Sequence, residues 1–326
     1  MYQKFINNIF SVTSSGFDSA AKAVFNFQYQ NNFLYNKWCN LIYPNTDPKG
    51  EEIPPSFLPI SFFKTHKVIT TRFEEQQIFE SSGTTNTINS KHFVKDISLY
   101  KTSAIKAFEM FYGDMKDWCV IGLLPSYLER QNSSLIMMVD DMIKKSCHKQ
   151  SGFYLYEFDK LKEVLLELER KQQKTLLIGV TFALLDFAEL DFLQLKNTIV
   201  METGGMKGRR RELTRNEIHS FLKERLGVKS IHSEYGMTEL LSQAYSKGDG
   251  RFLCPPWMKV LVRDEEDPLQ IKPHGKGVLN IIDLANVYSC SFIATDDLGI
   301  VYEDGSFEVL GRLDNCDIRG CSLLVV

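Results

Sequence analysis

The sequence predicts an α/β protein in which a large, mainly parallel sheet is flanked by helices and followed by a small β-rich subdomain. Strand-like and helix-like segments alternate between residues 80 and 245, an order that favours a parallel sheet covered on both faces. Beyond residue 246, short β-rich runs are separated by Gly, Asp and Pro. We therefore expect three parts: 1–79 as a helical layer with a proline-rich connection, 80–245 as an α/β core, and 246–326 as the β-rich subdomain with a hinge-like end.

The N-terminal part begins with apolar residues at helical spacing between positions 18 and 42. The prolines that follow forbid a continuous helix; they are Pro44, Pro48, Pro54, Pro55 and Pro59. We expect an extended connection along the surface there. Residues 68–79, as a strand or a short helix, then lead into a hydroxyl-rich loop.

The central part contains the most distinct helix, at 159–174, because strong helix formers there carry an apolar stripe. Further helices are predicted over 96–111, 133–145, 183–192 and 214–226, the last with Thr214 placed to cap it. Strands are predicted over 118–124, 176–180, 197–201 and 228–233, and in the C-terminal part over 258–263, 277–283, 289–294 and 300–302.

Composition excludes several classes of protein. Of the 326 residues, 44% are hydrophobic and 24% charged, and the net charge of −3 gives no general attraction to nucleic acid or anionic membrane. Seven dispersed cysteines without a C-x-x-C pair argue against a disulfide framework and a zinc site. No signal peptide is evident, and the most apolar later run, 175–185, is about half of a membrane crossing. We expect a cytoplasmic protein without membrane insertion or a nucleic-acid partner.

The loop at 81–87 gathers hydroxyl groups around one glycine. Ser82, Gly83, Thr84 and Thr85 could hold phosphate oxygens through hydroxyls and backbone N–H groups. The alternative is an ordinary Ser/Thr-rich turn. It is not a Walker P-loop, because no Gly-Lys-Ser/Thr follows.

A second motif, Y-G-M-T-E, follows a predicted strand and contains Tyr235, Gly236, Thr238 and Glu239. A tyrosine ring can stack on a purine, a threonine can contact phosphate, and a carboxylate can hold Mg²⁺ beside phosphates. A strand-to-helix turn with an acidic first residue is the alternative.

Two later motifs and a glycine pair have similar double interpretations. Asp297, in T-D-D-L-G, could accept hydrogen bonds from both ribose hydroxyls, or could belong to a β-turn. Arg312, in G-R-L-D, could contact a ligand or be a solvated hairpin residue. Gly204 and Gly205 could lie flat against a ring or simply form a turn.

In this order along the chain, the motifs resemble those of the adenylate-forming (acyl-CoA synthetase-like) superfamily, from about residue 80 to residue 321. Within it, the sequence is similar to the acyl-protein synthetase (LuxE) family. The similarity lies in L-P-I-S-F-F-K before the hydroxyl-rich loop, in T-G-G-M-K-G, and in the ending R-G-C-S-L. The resemblance implies the fold of an adenylate-forming enzyme's N-terminal domain.

The resemblance also implies ATP and Mg²⁺ as cofactors and a fatty acid, or another carboxylic acid, as the substrate activated to an acyl-adenylate. Glu239 would hold Mg²⁺, and Thr238 would contact phosphate. The nucleotide would be bound by several motifs: Ser82, Gly83, Thr84 and Thr85 at the phosphates, Tyr235 and Gly236 with Gly204 and Gly205 at adenine, and Asp297 and Arg312 at ribose. Lys207 could reach the reacting carboxylate, or be a solvated member of a basic run.

In the LuxE-like scheme, the acyl group passes to an enzyme cysteine as a thioester and then to a fatty acyl reductase partner. Thiolate is the attacking form, and a neighbouring cation lowers a thiol's pKa. Cys321, which follows Arg319, is the expected acceptor and Cys316 the alternative; both could also be plain residues of a terminal hairpin.

The sequence departs from the family pattern in two places. Asn86 and Asn89 stand where the phosphate loop usually has glycine and often has lysine. The sequence also ends shortly after G-R-L-D, so we expect the superfamily's mobile C-terminal domain to be absent and coenzyme A ligation to be disfavoured. Two alternatives remain open: an aryl-acid adenylating enzyme similar to phenylacetate–CoA ligase, and an inactive nucleotide-binding subunit of a reductase complex.

Overall fold

The fold is that of a computed structural model, which describes residues 8–44, 56–81, 88–125, 132–204 and 214–313. The described residues form eight α-helices: α1 (Phe17–Asn31), α2 (Phe33–Ile42), α3 (Phe62–Thr65), α4 (Ile97–Tyr112), α5 (Ser134–Ser146), α6 (Phe158–Arg170), α7 (Thr181–Leu190) and α8 (Arg215–Leu226). The helical layer expected at the N-terminus consists of two helices, α1 and α2, which are separated at Asn32. Its side chain accepts a hydrogen bond from the backbone N–H of Tyr35 at 3.0 Å, and so caps α2.

Most of the longer strands fall into regions where the sequence predicts strands, with shifted ends, whereas several short strands, such as Lys91–Val94 and Gly152–Phe153, were not predicted. They are β1 (Leu58–Pro59), β2 (Gln77–Glu80), β3 (Lys91–Val94), β4 (Cys119–Leu123), β5 (Gly152–Phe153), β6 (Thr175–Gly179), β7 (Thr198–Thr203), β8 (Ile231–Tyr235), β9 (Ala244–Ser246), β10 (Arg251–Phe252), β11 (Met258–Arg263), β12 (Ile271–Lys272), β13 (Gly275–Asp283), β14 (Phe292–Val301) and β15 (Phe307–Arg312). The strand expected over 228–233 extends to Tyr235, which therefore ends β8. The boundaries proposed at residues 80 and 246 stay predictions.

The first sheet has six strands in the order β5-β4-β6-β7-β8-β9. The strands from β5 to β8 are parallel, and β9 is antiparallel to β8. Their register brings Leu123, Gly179 and Glu202 side by side, and Thr203 beside Glu234. The carboxyl ends of four strands thus meet at one edge, the edge at which open α/β sheets place ligands.

The second sheet has seven strands, ordered β10-β15-β14-β13-β11-β12, with β1 paired parallel to β14. Two short strands expected over 289–294 and 300–302 are one long strand, β14. Asp297 lies inside this strand, so the β-turn interpretation of its motif is wrong. Antiparallel pairing places Asp297 directly opposite Arg312 on β15.

The N-terminal helices are fixed to the second sheet by buried amide side chains. Gln28 on α1 is fully buried, and its Nε2 lies 3.0 Å from the carbonyl oxygens of both Asn286 and Val287. Its Oε1 accepts from the backbone N–H of Ser291 at 2.9 Å. Asn32 Nδ2 donates to the carbonyl of Ser289 at 3.0 Å. Helix α1 therefore fixes the turn between β13 and β14.

Two helices show how local sequence determines their ends and faces. Helix α8 begins with a capping box between Thr214 and Glu217, which confirms the cap expected at Thr214. Helix α6 buries Leu161, Leu165 and Leu168 along one face, as its apolar stripe indicates. None of the described helices combines the length and apolar character that a membrane crossing requires.

Candidate active site

The Y-G-M-T-E motif lies at the carboxyl edge of the first sheet, where β8 ends. Residues 236–243 form a non-helical turn before β9, so the strand-to-helix interpretation is wrong. Gly236 packs closely: a Cβ there would lie 2.4 Å from Glu234 Oε1, so a larger residue would require the Glu234 side chain to shift. The turn therefore lies directly against the end of its own strand.

Three predicted site residues from three motifs meet here. Tyr235 Oη donates a 2.7 Å hydrogen bond to Asp297 Oδ2, and Arg312 Nε lies 3.2 Å from Asp297 Oδ1. Asp297 is 6% exposed, whereas most of the Arg312 side chain reaches solvent. Burial and the Asp297 charge raise the pKa of the Tyr235 hydroxyl, so it remains a protonated donor. The contact joins the edge of the first sheet to the second sheet.

The ring of Tyr235 is held by two aromatic residues of the second sheet. Phe307 meets it edge-on at a centroid distance of 5.3 Å, and Phe252 is tilted against it at 5.8 Å. The ring is buried, with 9% of the residue exposed. Its stacking on adenine stays a prediction.

Thr238 and Glu239 are held by backbone contacts. His92 on β3 donates from Nδ1 to the Thr238 carbonyl at 2.9 Å, and Asn286 Nδ2 donates to the Glu239 carbonyl at 2.7 Å. Burial raises the pKa of the Glu239 carboxyl, which a hydrogen bond with Ser90 opposes. These two contacts hold Thr238 and Glu239 by their backbone carbonyls and do not use their side chains.

Gly204 ends the neighbouring strand, β7, at the same edge. Its φ is 76°, a left-handed conformation that favours glycine. Its carbonyl accepts a hydrogen bond from Thr181 Oγ1 at 2.7 Å. Gly204 is therefore anchored to the start of α7.

A buried carboxylate, Glu202, lies on β7 two residues before Gly204. Its Oε1 lies 2.8 Å from His219 Nε2 and 3.0 Å from Ser233 Oγ, with Arg215 Nε at 3.8 Å. Burial alone raises the pKa of this carboxyl, but the His219 hydrogen bond and the charges of His219 and Arg215 outweigh it, and the pKa is lowered. Glu202 therefore stays ionised and fixes α8 to β7.

Sequence reasoning missed Asp283, a fully buried carboxylate at the end of β13. It accepts hydrogen bonds from the backbone N–H groups of Leu241, Ser242 and Ala285, and from Ser242 Oγ at 2.6 Å. It therefore fixes the segment that follows Glu239. The available signal was a single acidic residue ending the apolar run L-N-I-I-D. His92 was also missed, because nothing in the sequence around it indicates a role in the site beyond its position in an alternating strand.

Several predicted residues lie outside the described part of the chain: Ser82, Gly83, Thr84, Thr85, Gly205, Lys207, Cys316 and Cys321. Within the described ranges, no group of three or more His, Cys, Asp or Glu side chains could hold a metal ion. A single carboxylate at Glu239 nevertheless suits Mg²⁺, which often binds one or two carboxylates together with substrate phosphates and water.

The family model of acyl-protein synthetase, LuxE, matches residues 14–326. The long-chain-fatty-acid--luciferin-component ligase of Aliivibrio fischeri is 23% identical over 333 residues, covering 94% of this chain and 86% of that protein. The protein of the same name from Vibrio harveyi is 25% identical over 329 residues, covering 93% and 85%. Sequence similarity thus extends over nearly the whole chain.

Solved structures share the fold. ATP-bound MatB from Rhodopseudomonas palustris matches with a TM-score of 0.55 and 18% identity, covering 74% of this chain and 49% of that chain. This chain therefore spans about half the length of MatB. The luciferase-like enzyme of the nonluminescent Zophobas morio mealworm matches with a TM-score of 0.50 and 14% identity, covering 85% and 64%. These likenesses show the α/β fold of adenylate-forming enzymes, and the family match shows that the chain belongs to the acyl-protein synthetase (LuxE) family of AMP-forming, ligase-like enzymes.

Proposed function

We propose that this chain activates a fatty acid with ATP, forming an acyl-adenylate and releasing pyrophosphate. The observation that carries the proposal is the contact of Tyr235, Asp297 and Arg312 beside Thr238 and Glu239. These residues are 62 and 15 positions apart along the chain, yet they meet where the edge of the first sheet, at Tyr235, contacts the second sheet, at Asp297 and Arg312. The relatives named as long-chain fatty acid ligases support the choice of acid.

Asp297 fits a ribose diol. A carboxylate has about four acceptor sites, and the hydrogen bonds with Tyr235 and Arg312 use one on each oxygen. One site on each oxygen is left for the two ribose hydroxyls. Tyr235 and Arg312 hold the carboxylate in place, which reduces the ordering required when the nucleotide binds.

Glu239 fits a Mg²⁺ ligand. Its carboxyl is nearly buried, and the charges of Arg312 and Lys64 oppose the effect of burial on its pKa. When bound, Mg²⁺ would offset the triphosphate charge that repels an incoming carboxylate. The residues themselves would orient the phosphates through Thr238 and limit access of water to the reacting atoms.

The reaction has two steps. In the first, a carboxylate oxygen of the acid bonds to the α-phosphorus of ATP, and the bond from that phosphorus to its bridging oxygen breaks, releasing pyrophosphate. In the second, the thiolate of Cys321 attacks the acyl carbonyl and AMP leaves, giving a thioester for transfer to a fatty acyl reductase. Cys316 is the alternative acceptor. Lys207 and the loop containing Ser82, Gly83, Thr84 and Thr85 would assist at the phosphates. The cytoplasmic location stays a prediction.

The test is acid-dependent exchange of labelled pyrophosphate into ATP, with fatty and aromatic acids compared. Asp297→Asn should reduce exchange about 10- to 100-fold, because a hydrogen bond to a charged group contributes about 1.5–3 kcal/mol. Intact mass should show an acyl adduct that Cys321→Ser abolishes and Cys316→Ser retains. Exchange with aromatic acids alone would contradict the proposal and support the aryl-acid enzyme. Absence of exchange with every acid tested would contradict it and support the nucleotide-binding subunit.

A further inference from the structure

A cavity of about 120 Å³ opens beside the Y-G-M-T-E turn, on the face of β8 opposite Tyr235. Its walls come from α4, the first turns of α5, the ends of β7 and β8, and the turn itself. Gly204, Gly236 and Thr238, which belong to the candidate active site, form one wall. Anything bound in the cavity therefore lies next to the atoms that would react.

One polar group in this cavity is the carboxyl of Glu234. Its Oε2 accepts a 2.5 Å hydrogen bond from Thr203 Oγ1, and its Oε1 faces the backbone of Gly236. Burial raises the pKa of this carboxyl to about 7. Among the described residues, no lysine or arginine forms an ion pair with Glu234. The group is a desolvated acceptor with unused capacity.

The second polar group is the amide of Gln243. The residue is 3% exposed, and its Oε1 has no hydrogen-bond partner among the residues that the structure describes. Its Cγ lies 3.4 Å from the position that a Cβ at Gly236 would occupy. Glu234 and Gln243 thus converge on the same side of the turn. A buried acceptor without a donor costs about 1–3 kcal/mol, so a ligand that brings a donor is favoured.

We propose that Glu234 and Gln243 are specificity-determining residues that recognise a hydroxyl group near the carboxyl end of the acid. The inference rests on the proposed function and narrows its substrate to hydroxy fatty acids. The unpartnered Oε1 of Gln243 and the second oxygen of Glu234 define the chemistry, because a hydroxyl can donate to either oxygen whereas a plain methylene cannot. The adjoining turn also limits the distance between the recognised hydroxyl and the carboxylate of the acid, because that carboxylate would react beside Thr238.

The test compares 2- and 3-hydroxydodecanoate with dodecanoate, in pyrophosphate exchange and in equilibrium binding by calorimetry without ATP. The wild-type protein should prefer a hydroxy acid at least about 10-fold in both. Glu234→Met and Gln243→Met keep side-chain volume and remove the acceptors, so each should reduce that preference to about twofold or less. Because the measured quantity is a ratio of two acids on one protein, partial misfolding does not imitate the effect. Glu224→Met, on the exposed face of α8, is the matched control and should keep the preference.

The outcomes separate this inference from the proposed function. Equal exchange with plain and hydroxy acids would overturn the inference and leave the function standing. A binding preference without exchange would support the cavity assignment and contradict adenylate formation. A preference that persists in both Glu234→Met and Gln243→Met, or the absence of binding by either class of acid, would overturn the inference.

Discussion

The buried carboxylate of Asp283 allows a direct test of how the active-site turn is held. Oδ2 accepts from the backbone N–H groups of Leu241 and Ser242 at 2.8 and 3.0 Å. Oδ1 accepts from Ser242 Oγ at 2.6 Å and from the N–H of Ala285 at 3.0 Å. An amide keeps one acceptor oxygen, so Asp283→Asn leaves two buried donors facing an NH₂ group.

The size of the effect follows from these contacts. Each orphaned buried donor costs about 1–3 kcal/mol, which gives a loss of about 2–6 kcal/mol in the free energy of unfolding. Burial raises the pKa of Asp283 to about 6, so removing the charge recovers part of that loss at neutral pH. A loss of about 4 kcal/mol, the middle of that range, less a recovery of about 3 kcal/mol leaves an expected net destabilisation of about 1 kcal/mol. Pyrophosphate exchange should fall as well, because Leu241 and Ser242 follow Glu239 directly.

The assay is urea unfolding at pH 7 followed by tryptophan fluorescence. Trp257 is a local reporter, because its Nε1 donates to Ser103 Oγ, which lies 3.0 Å from Ser242 Oγ. The matched control is Asp264→Asn, in an exposed turn where water replaces the lost contacts, and it should change stability by less than about 0.5 kcal/mol. An unchanged midpoint for Asp283→Asn, or an equal loss for the control, would refute the reasoning.

Three further predictions use the same unfolding assay. Tyr235→Phe removes the donor to buried Asp297, so it should lower the free energy of unfolding by about 1–3 kcal/mol and raise the KM for ATP. The control Tyr302→Phe loses a similar phenol–carboxylate hydrogen bond nearer the surface and should lower it by less than about 1 kcal/mol. Burial raises the folded pKa of Glu234 to about 7, so wild-type stability should fall by up to about 3 kcal/mol as pH rises from about 4.5 to 7. Glu234→Gln should lack this fall. Parallel pH profiles of the two proteins would contradict the prediction. The pH dependence due to His92 has the opposite sign, because burial lowers its pKa to about 4. Up to about 3 kcal/mol of stability should be lost as pH falls from 6.5 to about 4. A His92→Gln variant whose stability changes with pH at the same slope would contradict this.

The residues that carry chemistry could be predicted from the sequence because their identity is local. Tyr235, Asp297 and Arg312 stand in short motifs with distinctive composition, and the structure brings all three together. Their hydrogen bonds to one another could not be predicted, because they depend on the register of β14 with β15 and on the approach of two sheets. The β-turn and strand-to-helix alternatives were wrong for the same reason.

The residues that position the site could not be found in the sequence. Asp283 and His92 act on backbone groups that lie far away along the chain, 146 positions in the case of His92 and Thr238. A backbone contact leaves no requirement on the partner's side chain, so no motif records it. The position of the break at Asn32 was not predicted, because apolar spacing over residues 18–42 sets no boundary and only the Asn32 cap shows where α2 begins.

The binding of Gln28 to the turn between β13 and β14 has a consequence for biosynthesis. The two segments are 258 or more positions apart, so α1 leaves the ribosome long before its partner is made. At about 5–20 residues per second, the delay is on the order of 10–50 s. During that time Val24 and Phe25, buried in the finished protein, have no second sheet to pack against. We therefore expect the contact of α1 with the second sheet, and with it the contact of Tyr235 with Asp297, to form among the last steps of folding.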